Sequence, residues 1–254
     1  MPTEYSEATY KPSDYAESSY AATNYTDSGY ESGADAKDNL IGKINLKDAK
    51  VAVIGLGIVG LPLAVEYALS GFRTVGIDTN ESLMAALGRR ESHVAAVPND
   101  TLQNAINAGL TFHSKKPEDS DVDCLLLALP AFQDRKPEVN AIEDSLRPIM
   151  GMLKKEMLIM LESCRFPGTM GELVAEQIHS QTGLQPGIDI FIAFSPQSGD
   201  GPPVQQDLRE RMKIVGGLTP LCREVAGTLC RRVFGSVQTH SIIPEPDDET
   251  SQQT

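Results

Sequence analysis

From Lys50 onward, short unbroken apolar runs alternate with longer stretches in which apolar residues recur every three or four positions. The runs are rich in Val, Ile and Leu, and bounded runs of this length read as strands buried on both faces. They fall at Val51–Ile54, Thr74–Ile77, Leu110–His113, Asp123–Leu129, Met157–Leu161 and Ile188–Phe194, with shorter ones at Lys213–Val215 and Val233–Thr239. Helical spacing fills the gaps: up to Leu69, Glu81–Gly88, Asp100–Ala108 with Asn99 as a candidate cap, Val139–Leu153, Gly168–Thr182 and Pro220–Arg232. Strands alternating with helices over such a length predict an α/β fold built on a doubly wound parallel sheet.

The ends break this pattern. Tyrosine recurs at Tyr5, Tyr10, Tyr15, Tyr20, Tyr25 and Tyr30, separated by Ser, Thr, Ala, Asp and Glu. A period of five matches neither helix nor strand, so the rings share no face in either, and the spacers supply no core. Residues 1–48 are therefore expected to be a disordered tyrosine-repeat tail and linker, residues 49–243 one folded domain, and residues 244–254 a second, acidic, disordered tail. The tyrosine array is a multivalent interaction segment, a set of phosphorylation sites or a solvated extension.

Composition refines the picture. The formal net charge is −13, and residues 1–38 hold eight acids against two lysines while the last ten residues hold four acids and no base. The acidity thus belongs mainly to the tails. It opposes nucleic acid and anionic membrane as partners. Cys124, Cys164, Cys222 and Cys230 and the four histidines show no metal-ligand spacing, so no metal is expected and the thiols read as free and buried. No apolar run approaches the ~18 residues of a membrane span. The N-terminus has no secretory signal. A cytoplasmic protein is expected.

One stretch carries chemistry. Val51–Ile54 runs into Gly55, Gly57 and Gly60 in G-x-G-x-x-G spacing, then into a helix, and the next strand ends on Asp78, 18 residues past Gly60. In this strand–turn–helix–strand frame Gly55 allows a sharp turn, Gly57 a close approach by a pyrophosphate, and Gly60 tight packing of helix on strand. Ile58 and Val59 complete the turn, and the helix N-terminus offers free N–H groups to phosphate. Asp78 is placed to accept from a ribose and repels a 2′-phosphate, which selects NAD over NADP. The domain is accordingly expected to be a Rossmann domain.

Further segments extend the comparison. VAVIGLGIVGLPLAVEYALSGF, RRESHV, LALPAFQDRKPEVN, ESCRFPGTMGEL, FSPQSGD and MKIVGGLTP follow one another in order. Together they resemble the N-terminal NAD-binding domain of the UDP-glucose/GDP-mannose dehydrogenase family, closest to the branch acting on UDP-N-acetylhexosamines. The second resembles R-G-E-S-Y-I, the fourth E-S-T-x-Y-P-G-T-T-E-E and the fifth F-S-P-E-R-x-D. The resemblance implies oxidation of a nucleotide-sugar primary alcohol to a uronic acid with two NAD reduced, in the service of polysaccharide biosynthesis. It also implies that Gly55, Gly57, Ile58, Val59, Gly60, Asp78, Pro130, Glu162 and Ser163 form the cofactor contacts.

The catalytic half of the pattern is degenerate. Ala131 and Cys164 stand where the family has threonine, Gln197 where it has glutamate, and Ser198 where it has arginine. Gln197 has the shape of a glutamate but accepts no proton at neutral pH, so it fails as a general base. The family's lysine and nucleophilic cysteine segments fall beyond Thr254, and no confident catalytic residue is assigned. A cysteine at a strand end could be a nucleophile, but Cys164 reads better as a packed small residue. The expectation is an NAD-binding domain that is catalytically defective alone. The alternatives are a dehydrogenase subunit completed by a full-length relative, or an interaction protein acting through its tyrosine tail.

Overall fold

The computed structural model describes residues 27–115, 121–129, 139–164, 167–196 and 212–241. Eight strands form one sheet in the order β3-β2-β1-β4-β5-β6-β7-β8. They are β1 (Lys50–Ile54), β2 (Arg73–Ile77), β3 (Thr111–His113), β4 (Cys124–Leu127), β5 (Met157–Cys164), β6 (Ile190–Pro196), β7 (Met212–Gly217) and β8 (Ser236–Ser241). The helices are α1 (Asp27–Leu46), α2 (Gly60–Leu69), α3 (Glu81–Gly88), α4 (Asn99–Asn107), α5 (Val139–Leu146), α6 (Pro167–Thr182) and α7 (Pro220–Arg231). None of them is long and apolar enough to cross a membrane.

The core follows from the apolar runs. Val51, Ala52, Val53, Cys124 to Leu127, Met157 to Leu161 and Ile190 to Ala193 are fully buried. Parity along the strands assigns the two faces. Met160 is paired with Ala193 and Leu161 with Phe194, so Met160 and Phe194 point to opposite sides of the pleat. Met160 Sδ lies 4.0 Å from Cys230 Sγ of α7, whereas a Cβ at Gly171 of α6 would lie 3.1 Å from the Phe194 ring. Helix α2 joins α7 on its face through Tyr67, whose hydroxyl lies 3.9 Å from Cys230 Sγ and whose ring meets Phe234, just past α7, edge-on at 6.2 Å.

Two elements depart from the expected pattern. The sheet is mixed: β7 runs antiparallel to β6, and β8 is parallel to β7. A parallel partner for β6 would require a crossover to the opposite end of the sheet; β7 instead starts at the end where β6 stops. The helix expected over Val139–Leu153 changes character after Leu146 and continues as a 3₁₀ turn over Arg147–Met152. Pro148 lacks the N–H that an α-helical continuation would use. Asn99 is the first residue of α4, after Pro98, and not its cap; its Oδ1 accepts from the Ser92 N–H at 2.8 Å.

The larger correction lies ahead of β1. Residues expected to be tail and linker contain the 20-residue helix α1, with Leu40 and Ile44 wholly buried. These two lie four apart, on one helical face, and Gly33 and Ala36 continue that face toward the N-terminus. A Cβ at Gly33 would stand 2.9 Å from the Gly187 carbonyl oxygen, so the helix meets the chain just ahead of β6. Its polar residues anchor it. Asn39 donates to Glu156 Oε1 at 3.0 Å, Lys37 pairs with Glu224 of α7 at 3.2 Å, and Lys43 donates to Asp123 Oδ1 at 2.9 Å. The Asp123 carboxylate holds the Lys43 ammonium above its usual pKa. Lys47, in the left-handed region at φ 59°, ends the helix. Helix α1 thus crosses the end of the sheet where β1, β4, β5 and β6 begin.

Leu40→Ala is expected to lower the unfolding free energy by about 2–4 kcal/mol in urea titrations, as for other buried leucines. A stretch of unattached linker would show no change.

Candidate functional site

At the opposite edge, where β1, β2 and β4 end, the glycine turn takes its shape from three distinct demands. Gly55 has φ +86°, and a Cβ there would stand 2.6 Å from the Ala128 carbonyl oxygen. At Gly60 a Cβ would lie 1.7 Å from the Gly55 oxygen, so α2 starts in direct backbone contact with the turn. Gly57 is different: nothing lies within 4 Å of its added Cβ. Gly55 and Gly60 are required by the fold, while Gly57 leaves open space on the exposed side. Ile58, 57% exposed, borders that space, and Val59 is half-buried behind it.

Helix α2 begins without a side-chain cap and with no acidic residue in its first turn. The positive end of its dipole is therefore not countered by an acid of its own first turn; the Leu61 N–H already donates to the Gly57 carbonyl at 3.1 Å, and Pro62 has no N–H to offer. Asp78, half-buried beyond β2, turns its carboxylate onto the same turn. Oδ2 accepts from the Leu56 N–H at 2.7 Å and Oδ1 from the Asn80 N–H at 2.9 Å. A carboxylate has about four acceptor positions, so lone pairs remain for the hydroxyls of a ribose. The Leu56 side chain is wholly buried, and a Cβ at Gly76 would come within 2.9 Å of it.

Glu162, near the end of β5, is 1% exposed. Its Oε2 accepts from Lys213 Nζ at 2.6 Å, and Lys213 also sits 5.2 Å from the centre of the Phe234 ring. Glu162 Oε1 is buried without a hydrogen-bond partner among the described residues. The β5–β6 register slips between Glu162 and Cys164. Gly55, Gly57, Ile58, Val59, Gly60 and Asp78 thus come together in one place, with Glu162 further along the same edge of the sheet. Pro130, Ala131, Gln197, Ser198 and the loop after it lie outside the described residues, as do the side chains of Ser163 and Cys164.

The remaining thiols are unsuited to chemistry. Cys124, Cys222 and Cys230 are free and buried, and burial pushes Cys230 up to about 12 and raises Cys124 and Cys222 as well. Thiolate is negligible in such groups at neutral pH. Among the described residues no cluster of three or more His, Cys, Asp or Glu side chains could hold a metal.

Sequence reading missed two partnerships at this edge: Glu162 with Lys213, and the hydrogen bond between His93 Nε2 and the Leu56 carbonyl at 2.8 Å. Both residues lie in segments singled out above, RRESHV and MKIVGGLTP, but the contacts span 51 and 37 residues and have no local signature.

This geometry agrees with comparisons to known proteins. The model of the UDP-glucose/GDP-mannose dehydrogenase family, NAD binding domain, matches residues 49–234. The chain belongs to that family. It is 30% identical over 191 residues to the UDP-N-acetyl-D-mannosamine dehydrogenase of Escherichia coli K12, covering 71% of this chain and 45% of the relative. It is 29% identical over 190 residues to the UDP-N-acetyl-D-glucosamine 6-dehydrogenase of Pseudomonas aeruginosa, covering 74% and 44%. The solved UDP-D-ManNAc dehydrogenase of Pyrococcus horikoshii superposes with a TM-score of 0.68 at 21% identity, covering 76% of this chain and 47% of that one, which shows the shared fold. The chain spans somewhat less than half the length of these curated relatives. It carries the NAD-binding domain of the nucleotide-sugar dehydrogenases, and α1 precedes the matched region. The open Gly57 cradle, the uncapped start of α2 and the Asp78 carboxylate fit NAD.

Gly57→Ala is expected to leave thermal stability almost unchanged and weaken NAD binding, whereas Gly60→Ala destabilises the fold by about 3 kcal/mol through overpacking. Calorimetry on the two variants separates the roles. Lys213→Met should cost about 3–5 kcal/mol in urea unfolding, because it leaves the Glu162 charge buried and unpaired; equal stability of variant and parent would show that the pair is dispensable.

Proposed function

We propose that this chain holds NAD for the oxidation of a nucleotide sugar, and that it does not complete that oxidation unaided. The observation that carries the first half is the Gly55–Gly60 turn with Asp78 locked beneath it. NAD, when bound, supplies a hydride acceptor for an alcohol carbon. The chain's own residues bind and orient it: the α2 N-terminus and the Gly57 backbone take the pyrophosphate, and Asp78 takes the adenosine ribose and rejects a 2′-phosphate.

The second half rests on the substitutions at the reacting end. Gln197 accepts no proton at neutral pH, and Cys164 and Ala131 replace the hydroxyl groups that the family has at those positions. A full-length relative is the partner that would provide the base that Gln197 does not supply. The UDP-N-acetylhexosamine substrates named for the relatives make this sugar class the first to test. Buried free thiols support a reducing, cytoplasmic setting.

Calorimetric titration of the purified chain with NAD should give saturable binding, with NADP much weaker. Asp78→Ala is expected to cost at least about tenfold in affinity, or ~1.4 kcal/mol. Absorbance at the NADH band should stay flat with UDP-N-acetylhexosamines. Absence of NAD binding by the folded protein would overturn the first half, and steady NADH production the second.

A further inference from the structure

The connection between α3 and α4 has no regular structure, yet its backbone is closely determined. The Arg89 guanidinium binds the Glu91 carboxylate at 2.8 Å. Arg90 adopts φ +65°, at the place where the family's R-G-E-S-Y-I stretch has glycine. The Glu91 N–H returns to the Ala86 carbonyl at 3.0 Å. Ser92 donates its N–H to Asn99 Oδ1 at 2.8 Å, its hydroxyl accepts from the Val94 N–H at 3.2 Å, and Val94 is buried. His93 is held between these two fixed neighbours, and its ring reaches the glycine turn 37 residues back in the chain.

There Nε2 lies 2.8 Å from the Leu56 carbonyl oxygen. A carbonyl only accepts, so Nε2 carries the proton. That oxygen belongs to the peptide joining Leu56 to Gly57. In a trans peptide the C=O and the following N–H point in opposite directions within one rigid plane, and the chain contains no cis peptide among its described residues. Fixing the Leu56 oxygen therefore fixes the direction of the Gly57 N–H, at the glycine with open space around it. The preceding peptide is fixed separately, by Asp78 on the Leu56 N–H.

We propose that His93 is a positioning residue of the dinucleotide site: through the Leu56 carbonyl it aims the Gly57 N–H at the pyrophosphate. Asp78 and His93 hold successive peptides of the turn from opposite sides of Leu56, so one side chain recognises the ribose while the other prepares the phosphate contact. The proposal rests on the NAD reading given above. The family stretch has tyrosine at this place, another side chain that ends in a hydrogen-bond donor.

The test uses the full chain with His93→Phe, which removes the donor, and His93→Gln, whose amide nitrogen stands near the position of Nε2. NAD affinity should fall about five- to tenfold in His93→Phe, the worth of one hydrogen bond, and return to within about twofold of the parent in His93→Gln. The ¹⁵N order parameter of the Gly57 amide, read without NAD, should be near ~0.85 in the parent and the Gln variant and fall toward ~0.6 in the Phe variant. A purely structural role would lower the melting temperature while leaving both variants equal in affinity, which would overturn the proposal. So would an unchanged Gly57 order parameter in His93→Phe. If the parent itself binds no NAD, the functional reading fails, and the Gly57 relaxation still decides whether His93 orders the turn.

Discussion

Helix α2 can begin directly above the end of β1 because two glycine backbones meet there without side chains between them. The space that a Cβ at Gly60 would need is already occupied by the Gly55 carbonyl oxygen. This approach sets the height of the helix over the sheet, and it forces the turn outward. Ala128 closes the turn from the β4 side, and Asp78 with its neighbours closes it from the β2 side. The placement of the helix dipole, the exposed peptide at Gly57 and the approach of the Asp78 carboxylate all build on that single contact. Close packing and ligand access are here two results of the same missing atoms.

The parts of the molecule that could be read from the sequence are those whose cause is local. Unbroken Val, Ile and Leu runs specify buried strands wherever they stand, and the spacing from Gly55 to Asp78 encodes a complete strand–turn–helix–strand unit. Helix α1 escaped because its signal is two buried apolar residues in a composition dominated by Asp, Lys, Asn and Gly. Such a helix has little stability of its own and forms because a groove receives it. The reversal of β7 was hidden for another reason. Strand direction is decided by the path of a connection, and apolar periodicity has no direction. The contacts of His93 and Lys213 required knowledge of which distant segments meet, although both residues stand within motifs.

Two buried carboxylates mark the two ends of the sheet, and they differ in how their charge is met. Asp123, beneath the start of β4, accepts from the Lys50 N–H at 2.9 Å as well as from Lys43 of α1. It is enclosed by donors and closes the end of the fold that faces away from the site. Glu162, at the other end, has one oxygen bound by Lys213 and one without a partner among the described residues. A satisfied ion network fixes geometry, whereas an open acceptor in a buried place is costly to maintain. The asymmetry follows the usual division of open α/β sheets, in which ligands bind beyond the carboxyl ends of the strands.

Helix α1 also changes what counts as the domain. The family match begins at residue 49 and ends at residue 234, but Leu40 and Ile44 are buried ahead of that start and β8 pairs with β7 beyond that end. Cutting the chain at the homologous limits would bare the apolar surface under α1 and turn β7 into an open edge, a combination that invites self-association. In this protein the inherited unit and the folding unit have different borders. Helix α1 acts as a clasp, closing the sheet at the end where its strands begin, opposite the glycine turn.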